Sequence, residues 1–169
     1  MGRKTVMPSL AYIHEEVKRA AARGLLCSQI VIDIGLGELG IYSHDVVKAA
    51  GGLVGAMGFQ GVTCGALTGA GCLLTFAAVD KIDRGVYLLI EEMEARFNEL
   101  IGKYPGNTCA DILDHDTSKI PTEVCYPLIA GAIHITLELL ETVGLTRQIR
   151  DEQELESSLI LAGSRASLE

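Results

Sequence analysis

The chemistry that this sequence favours most is thiol chemistry, because four of its five cysteines fall at or near predicted helix starts. Thr63 is a good helix N-cap, and it places Cys64 in the first turn of an apolar helix that runs to about Val79. The positive end of a helix dipole lowers a thiol pKa and favours nucleophilic attack or metal ligation. The position of Cys64 thus favours a low-pKa thiolate or a metal ligand, and the alternative is a buried, inert cysteine in a core helix of small residues. The other three cysteines at helix starts are Cys27, Cys109 and Cys125.

The spacing of the cysteines does not by itself identify a type of site. No Cys-x-x-Cys pair occurs, so neither a thioredoxin-type motif nor a zinc ribbon is supported, and no Cys-x-x-Cys-His indicates covalently attached haem. The four cysteines could equally be scattered structural thiols. The fifth, Cys72, lies in the middle of an apolar helical segment and is interpreted as a core residue.

The elements that must position these thiols are predicted to be helices. Apolar residues at helical spacing, caps and glycine stops predict an all-α fold, a compact bundle of about six to eight helices. Gly61, Gly65 and Gly69 are spaced four residues apart, so they are expected to form one helical face without side chains and to allow close helix packing. The predicted helices cover about residues 10–21, 44–55, 64–79, 83–100, 108–113 and 123–143, with a further apolar element that begins at Cys27. The predicted N-caps are Ser43, Thr63, Thr108 and Thr122, the predicted stop of the first helix is Gly24, and glutamates are expected on the exposed side of residues 83–100.

Two stretches suggest other classes of protein. Residues 30–34 read as a buried strand, and Gly35-Leu-Gly-Glu-Leu-Gly40 then matches the dinucleotide-binding pattern, but no second β-rich run follows as that fold requires. Residues 49–79 carry no charge and are long enough to span a bilayer. Their glycines, and a predicted turn at residues 58–61, favour two shorter buried helices and no membrane span.

Length and charge restrict the function further. The chain has 169 residues, which suits one four-cysteine domain over residues 1–145 and a charged C-terminal helix or tail over residues 146–169. Its formal net charge of -8 argues against nucleic-acid binding. No segment resembles a signal peptide, so we expect a cytoplasmic protein, in which cysteines are more often ligands or redox groups than disulfides. No Ser-His-Asp order, phosphate loop or pair of carboxylates indicates a particular enzyme, and His134 is interpreted as a hydrogen-bonded core residue.

One family resemblance connects the four cysteines. The run Cys64-Gly-Ala-Leu-Thr-Gly69 resembles the signature of the C_GCAxxG_C_C family, which is named for four cysteines, one of them before the signature and two after it. Cys27 matches the first of these, and Cys109 and Cys125 match the last two, so the similarity covers about residues 8–143. The resemblance implies that residues 30–34 are helical. Members of the family are regarded as redox-active and tend to accompany transporter or oxidoreductase genes, and a similar domain in split-Soret cytochromes is associated with an iron–sulfur centre.

The resemblance implies a site in which the four cysteines converge, with Gly65 and Gly69 giving close packing around it. The thiolates would bind an iron–sulfur cluster for electron transfer or redox sensing, and a redox partner protein would be expected. Two alternatives remain open: a dithiol/disulfide protein with Cys64 as the attacking thiolate, and a structural Zn²⁺ module with four thiolate ligands. A homodimer is compatible with each of them.

Overall fold

The fold is all-α, as the sequence predicts. The computed structural model of the protein describes residues 7–116 and 121–145, and neither range contains a β-strand. Short 3₁₀ segments, Ala50–Leu53 and Asp83–Gly85, follow the third and fourth helices, and the predicted tail over residues 146–169 lies outside the described residues. The helices are α1 (Leu10–Ala22), α2 (Cys27–Glu38), α3 (His44–Ala49), α4 (Gly65–Ile82), α5 (Val86–Leu100), α6 (Cys109–Leu113) and α7 (Pro121–Thr142).

Local capping explains where several helices begin and end. The hydroxyl oxygen of Ser43 accepts a hydrogen bond from the backbone N–H of Val46 (3.5 Å), and that of Thr108 accepts one from Asp111 (3.0 Å). Gly24 follows α1 with φ +89°, a conformation that glycine adopts without strain. These three predicted helix boundaries are confirmed.

Two other predicted caps are wrong. Helix α4 begins at Gly65, so Cys64 itself, and not Thr63, occupies the N-cap position. Helix α7 begins at Pro121, so Thr122 lies inside the helix. Proline is favoured at the first position of a helix because its ring fixes φ near the helical value. Cys64 nevertheless lies at the start of α4, and Cys125 lies near the start of α7, in its second turn.

The apolar run that resembles a strand is helical. Ile30 and Ile34 are buried in the middle of α2, and so are Val31 and Ile32 on other sides of the helix. Such a helix is apolar all round because neighbours cover most of it, so its sequence loses the usual helical period. Gly35 and Gly37 lie inside α2, and the strand–turn–helix context of a dinucleotide site is therefore missing.

Helices α2 and α4 approach each other closely where α4 has glycine. A Cβ atom built on Gly69 would lie 3.0 Å from the Cα atom of Ser28 and 3.0 Å from its carbonyl oxygen. Backbone therefore meets backbone at this crossing. Gly61 does not belong to this face, because it precedes the helix in a turn with φ +76°.

Helix α7 completes the core by packing against α1, α2, α4 and α5. Leu100 of α5 fills the space over Gly131, where an added Cβ would lie 2.5 Å from its Cδ2 atom. The Arg96 guanidinium pairs with the Glu138 carboxylate and joins α5 to α7 at the surface. Pro127 lies inside α7 and has no N–H to donate, so the first turns of this helix lack one hydrogen bond.

Two stretches are long and apolar enough to cross a membrane by length and composition alone, Gly65–Leu100 and Glu123–Thr142. The protein buries 44% of the most apolar window in the first and 61% in the second. The first is also not one straight helix, because Asp83 interrupts it with φ +47°. Core helices pass the same test, and the absence of a membrane span stays a prediction.

Candidate functional site

The cysteines at helix starts are brought to one end of the bundle, and the first contact is between α2 and α4. Cys27 is the first residue of α2. A Cβ atom added to Gly65 would lie 2.5 Å from the Cys27 Sγ atom and 3.0 Å from the carbonyl oxygen of Leu53. Gly65 therefore has no side chain because the Cys27 sulfur takes up that space beside Cys64.

A short antiparallel pairing of backbone holds Cys64 next to Cys109. The backbone N–H of Cys64 donates to the carbonyl oxygen of Asn107 (2.9 Å), and that of Cys109 donates to the carbonyl oxygen of Val62 (2.8 Å). An isolated β-bridge joins the two residues between these bonds, Thr63 and Thr108. The relative position of the two cysteines is thus set by main-chain hydrogen bonds rather than by side-chain packing.

Asn107 also ties this pairing to α5. Its side-chain amide donates to the carboxylate of Glu94 (3.3 Å) and to the carbonyl oxygen of the Asn98 side chain (3.1 Å). The residue therefore links the solvent-facing side of α5 to the backbone that positions Cys64. Sequence reasoning missed this role, and the only available signal was a turn residue directly before the Thr108 cap.

Cys125 brings the fourth thiol from α7. The pKa of Cys125 is raised to about 12, first by burial and then by repulsion from the neighbouring Cys64, Cys109 and Cys27. Repulsion of this kind acts only over short distances within the protein. The four cysteines, which are up to 98 positions apart (125 minus 27), therefore form one cluster at this end of the bundle.

The expectation of a low-pKa thiolate at Cys64 is wrong. The pKa of Cys64 is raised to about 11, mainly by burial and to a smaller extent by repulsion from Cys27 and Cys109. Hydrogen bonds from the backbone N–H groups of Ala66 and Leu67 act in the opposite direction but do not offset the effect of burial. Desolvation exceeds the helix-dipole effect here because the thiol is mostly shielded from water. The pKa of Cys109 is raised as well, first by burial and then by Cys27.

Cys72 does not belong to the cluster, and its interpretation as a core residue is wrong. It lies in the middle of α4, on the solvent side of the helix, and its side chain is exposed. The helix is apolar on most sides, so its sequence does not show which residues face water.

The chain reaches Cys64 through a left-handed turn. Gly55, Ala56, Met57, Gly58 and Phe59 all have positive φ angles, between 59° and 68°. The backbone N–H of Gly58 donates to the carbonyl oxygen of Val54 (2.8 Å) and closes the turn. Residues with a Cβ atom rarely adopt this conformation, and such strained segments are concentrated at functional sites. The glycines hinted at a turn, but nothing in Ala56 or Met57 predicted its handedness.

In the described residues, the thiols are not joined by a compact set of other metal-binding side chains. Throughout the described part of the chain, no three His, Cys, Asp or Glu side chains are arranged to hold one metal ion. His134 is half-buried on α7 with its Nε2 atom 3.4 Å from a Glu138 carboxylate oxygen, in keeping with a partnered core residue, although its buried Nδ1 atom has no hydrogen-bond partner. The thiols alone therefore make up the candidate site.

Comparisons with known proteins agree with the cysteine pattern. The sequence profile of one family, described as "Putative redox-active protein (C_GCAxxG_C_C)", matches residues 25–139, which is more than half of the chain and includes all four clustered cysteines. No curated protein and no solved structure matches the chain.

Proposed function

Because the chain belongs to the C_GCAxxG_C_C family of redox-active proteins, we propose that its four clustered cysteines bind an iron–sulfur cluster for electron transfer or redox sensing. The observation that carries this proposal is the convergence of four thiols from four different helices, α2, α4, α6 and α7. Cysteine thiolates are the usual protein ligands of such clusters, which exchange single electrons when bound.

The raised thiol pKa values favour a metal group over a reactive dithiol. An attacking cysteine needs a substantial thiolate fraction near neutral pH, whereas the high pKa of Cys64 keeps its thiol almost entirely protonated at that pH. Mutual repulsion raises the pKa of Cys125 as well, so four thiolates cannot coexist here without positive charge between them. Iron ions would supply that charge, and thiols with high pKa values become ligands by losing protons as the metal binds.

The arrangement of the thiols does not suit a single zinc ion. Four sulfurs at the usual Zn–S bond length of about 2.3 Å would lie only ~3.8 Å from one another. Among residues 7–116 and 121–145, no such compact group is present. In a four-iron cluster each cysteine binds a different iron, so its sulfurs stand farther apart than the ligands of a single ion.

The surrounding chain supports the proposed site in three ways. Gly65 gives the Cys27 sulfur room beside Cys64, and the backbone pairing through Asn107 holds Cys109 next to Cys64. The N–H groups of Ala66 and Leu67 lower the pKa of Cys64 and thereby favour its thiolate form. Burial of the thiols limits access by water and oxidants.

Anaerobic reconstitution with ferrous iron and sulfide tests the proposal. We expect brown protein with visible absorption and acid-labile sulfide, and we expect both to be lost when any clustered cysteine is replaced by serine. Cys72→Ser is the matched control and should reconstitute like the unchanged protein, because Cys72 lies outside the cluster. The positions for substitution are Cys27, Cys64, Cys109 and Cys125.

Two other results would refute the cluster and identify an alternative. A colourless protein that loses two titratable thiols with one equivalent of diamide is a dithiol, since two thiols then become one disulfide and diamide takes up two electrons and two protons. A colourless protein that holds one zinc ion per chain, and loses helicity with chelator, is a structural zinc module.

A further inference from the structure

Two polar side chains are fully buried in the described part of the chain, and they form different kinds of hydrogen bond. Ser28 and Thr136 both have 0% exposure. The Thr136 hydroxyl donates to the carbonyl oxygen of Ala132 (2.7 Å) in its own helix and lies 3.6 Å from the Met93 sulfur. The Ser28 hydroxyl donates to the carbonyl oxygen of Ala50 (2.8 Å), which lies 22 positions away in another element. The hydroxyl of Ser28 therefore joins two elements that are distant in sequence.

Gln29 makes a second connection from α2 to the same part of the chain. Its Nε2 atom donates to the carbonyl oxygen of Val47 (3.4 Å), and its Oε1 atom accepts a hydrogen bond from the backbone N–H of Leu26 (3.3 Å). Val47 lies in the last turn of α3, and Ala50 is the residue that ends this helix. Carbonyl groups at a helix end have no partner within the helix. The two side chains of α2 therefore supply hydrogen bonds that complete α3.

Ser28 and Gln29 follow Cys27 directly, in the first turn of α2. The backbone of Ser28 also meets α4, because a Cβ atom on Gly69 would lie 3.0 Å from the Ser28 Cα atom and 3.0 Å from its carbonyl oxygen. A movement of Ser28 would thus move the neighbouring Cys27 relative to α4.

The segment after α3 leads from Ser28 to the second cysteine. The 3₁₀ turn Ala50–Leu53 begins at the residue whose carbonyl group Ser28 binds. At the other end of this turn, the carbonyl oxygen of Leu53 lies 3.0 Å from the Cβ position of Gly65, the residue after Cys64. The Ser28 hydroxyl therefore lies where α2, α4 and the approach to Cys64 are joined.

We propose that Ser28 is a positioning residue that sets the separation of the Cys27 and Cys64 sulfurs, and that Gln29 supports it in this role. Without the Ser28 hydroxyl, the buried carbonyl group of Ala50 would lack its partner, and the 3₁₀ turn would shift toward another donor. Because the turn contacts α4 beside Cys64, this shift would change the relative position of the two thiols. The effect of Ser28 on a metal group rests on the cluster proposed above, whereas its effect on the thiols does not.

Dibromobimane, which joins two neighbouring thiols into one fluorescent product, tests this separation in the apoprotein. Mass spectrometry of the joined peptides identifies the product of Cys27 and Cys64. In Ser28→Ala its rate of formation should fall by about threefold or more, because the second displacement is fast only when the second thiol is held near the reagent. Gln29→Ala should lower the rate as well, and it extends the test if Ser28→Ala does not fold.

Thr136→Val is the matched control, because it also removes a fully buried hydroxyl. Thr136 lies 11 residues (136 minus 125) after Cys125 on α7 and therefore about 16 Å from it along the helix axis. In this variant the product should form as fast as in the unchanged protein. Far-UV circular dichroism verifies that each variant is folded.

Redox titration of the reconstituted protein extends the test to the cluster. Ser28→Ala should shift the midpoint potential, because solvent exposure and hydrogen bonding at the sulfurs help to set it, whereas Thr136→Val should leave it unchanged. If no variant and no unchanged protein takes up iron, but the bimane product still depends on Ser28, the proposed function fails and the positioning role stands.

Three results would overturn the proposal. Absence of the product of Cys27 and Cys64 from the unchanged protein would show that these thiols are not neighbours. Equal rates in the unchanged protein, Ser28→Ala and Gln29→Ala would show that the two side chains do not set the separation. An equal fall in Thr136→Val would show a general effect of removing a buried hydroxyl.

Discussion

Gly65→Ala tests the central contact of the site, where the Cys27 sulfur occupies the space beside the backbone of α4. The added Cβ would lie 2.5 Å from the Cys27 Sγ atom and 3.0 Å from the carbonyl oxygen of Leu53. Overpacking of this kind costs about 1–3 kcal/mol, and the better helix propensity of alanine offsets about 0.5–1 kcal/mol of it. We expect a net loss of about 1–2 kcal/mol in the free energy of unfolding.

The matched control for this substitution lies in the same helix. A Cβ added to Gly71 would meet only the Ile90 Cγ2 atom at 4.0 Å, which is ordinary contact, so Gly71→Ala should stabilise the protein by about 0.5–1 kcal/mol. Because both variants replace glycine by alanine, their effects on the unfolded chain are alike. Urea unfolding of the apoprotein should therefore separate the two variants by about 2 kcal/mol.

The same substitution also reports on the candidate site. Displacement of Cys27 should reduce acid-labile sulfide per chain after reconstitution, whereas Gly71→Ala should leave it unchanged. If Gly65→Ala were as stable as Gly71→Ala and reconstituted fully, the close approach between α2 and Cys64 would not hold. The reasoning from glycine to cysteine placement would then be refuted.

Three further predictions concern the surroundings of the thiols. Folding disfavours the thiolate of Cys64, so the protonated thiol should contribute its full stability below about pH 9, and this contribution should be lost as the pH rises through about 11. Urea unfolding of the apoprotein should show a smaller loss of stability over this range in Cys64→Ser, and equal losses would contradict the raised pKa. Asn107→Ala should lower the free energy of unfolding by about 1 kcal/mol and speed alkylation of Cys64 and Cys109, while the exposed Glu91→Ala should do neither. Met57→Gly should stabilise the protein by about 0.5–1 kcal/mol by relieving a positive φ angle, whereas a gain of the same size in Met57→Ala would show that strain is not the cause.

The parts of the fold that follow local rules could be predicted from the sequence. The Ser43 and Thr108 caps, the stop at Gly24 and the acidic outer side of α5 are decided by neighbours three or four residues away, which the sequence displays directly. The helical state of residues 30–34 could not be derived in this way, since burial on nearly all sides of α2 hides its period. For that element the family resemblance gave the correct prediction where β-branched composition did not.

The candidate site shows the same division. The family resemblance connected its four cysteines, whose positions near helix starts left scattered thiols equally open, and the electrostatics of the site could not be predicted. The helix dipole is a local effect, whereas burial of Cys64 depends on α2 and on segments distant in sequence, and burial has the larger influence on its pKa. The exposed position of Cys72 likewise depends on which neighbours α4 has, and the left-handed turn before Cys64 depends on tertiary contacts.

The order in which the cysteines occur along the chain has a consequence for biosynthesis. Three of the four clustered cysteines precede α7. The fourth, Cys125, belongs to that helix, which packs against α1, α2, α4 and α5. Long-range closure of this kind is late and slow in folding. A nascent chain that lacks α7 can offer only three of the four clustered sulfurs. Assembly of the proposed cluster would therefore have to wait until the helical core has been synthesised, and a bound cluster would mark a chain whose core is complete.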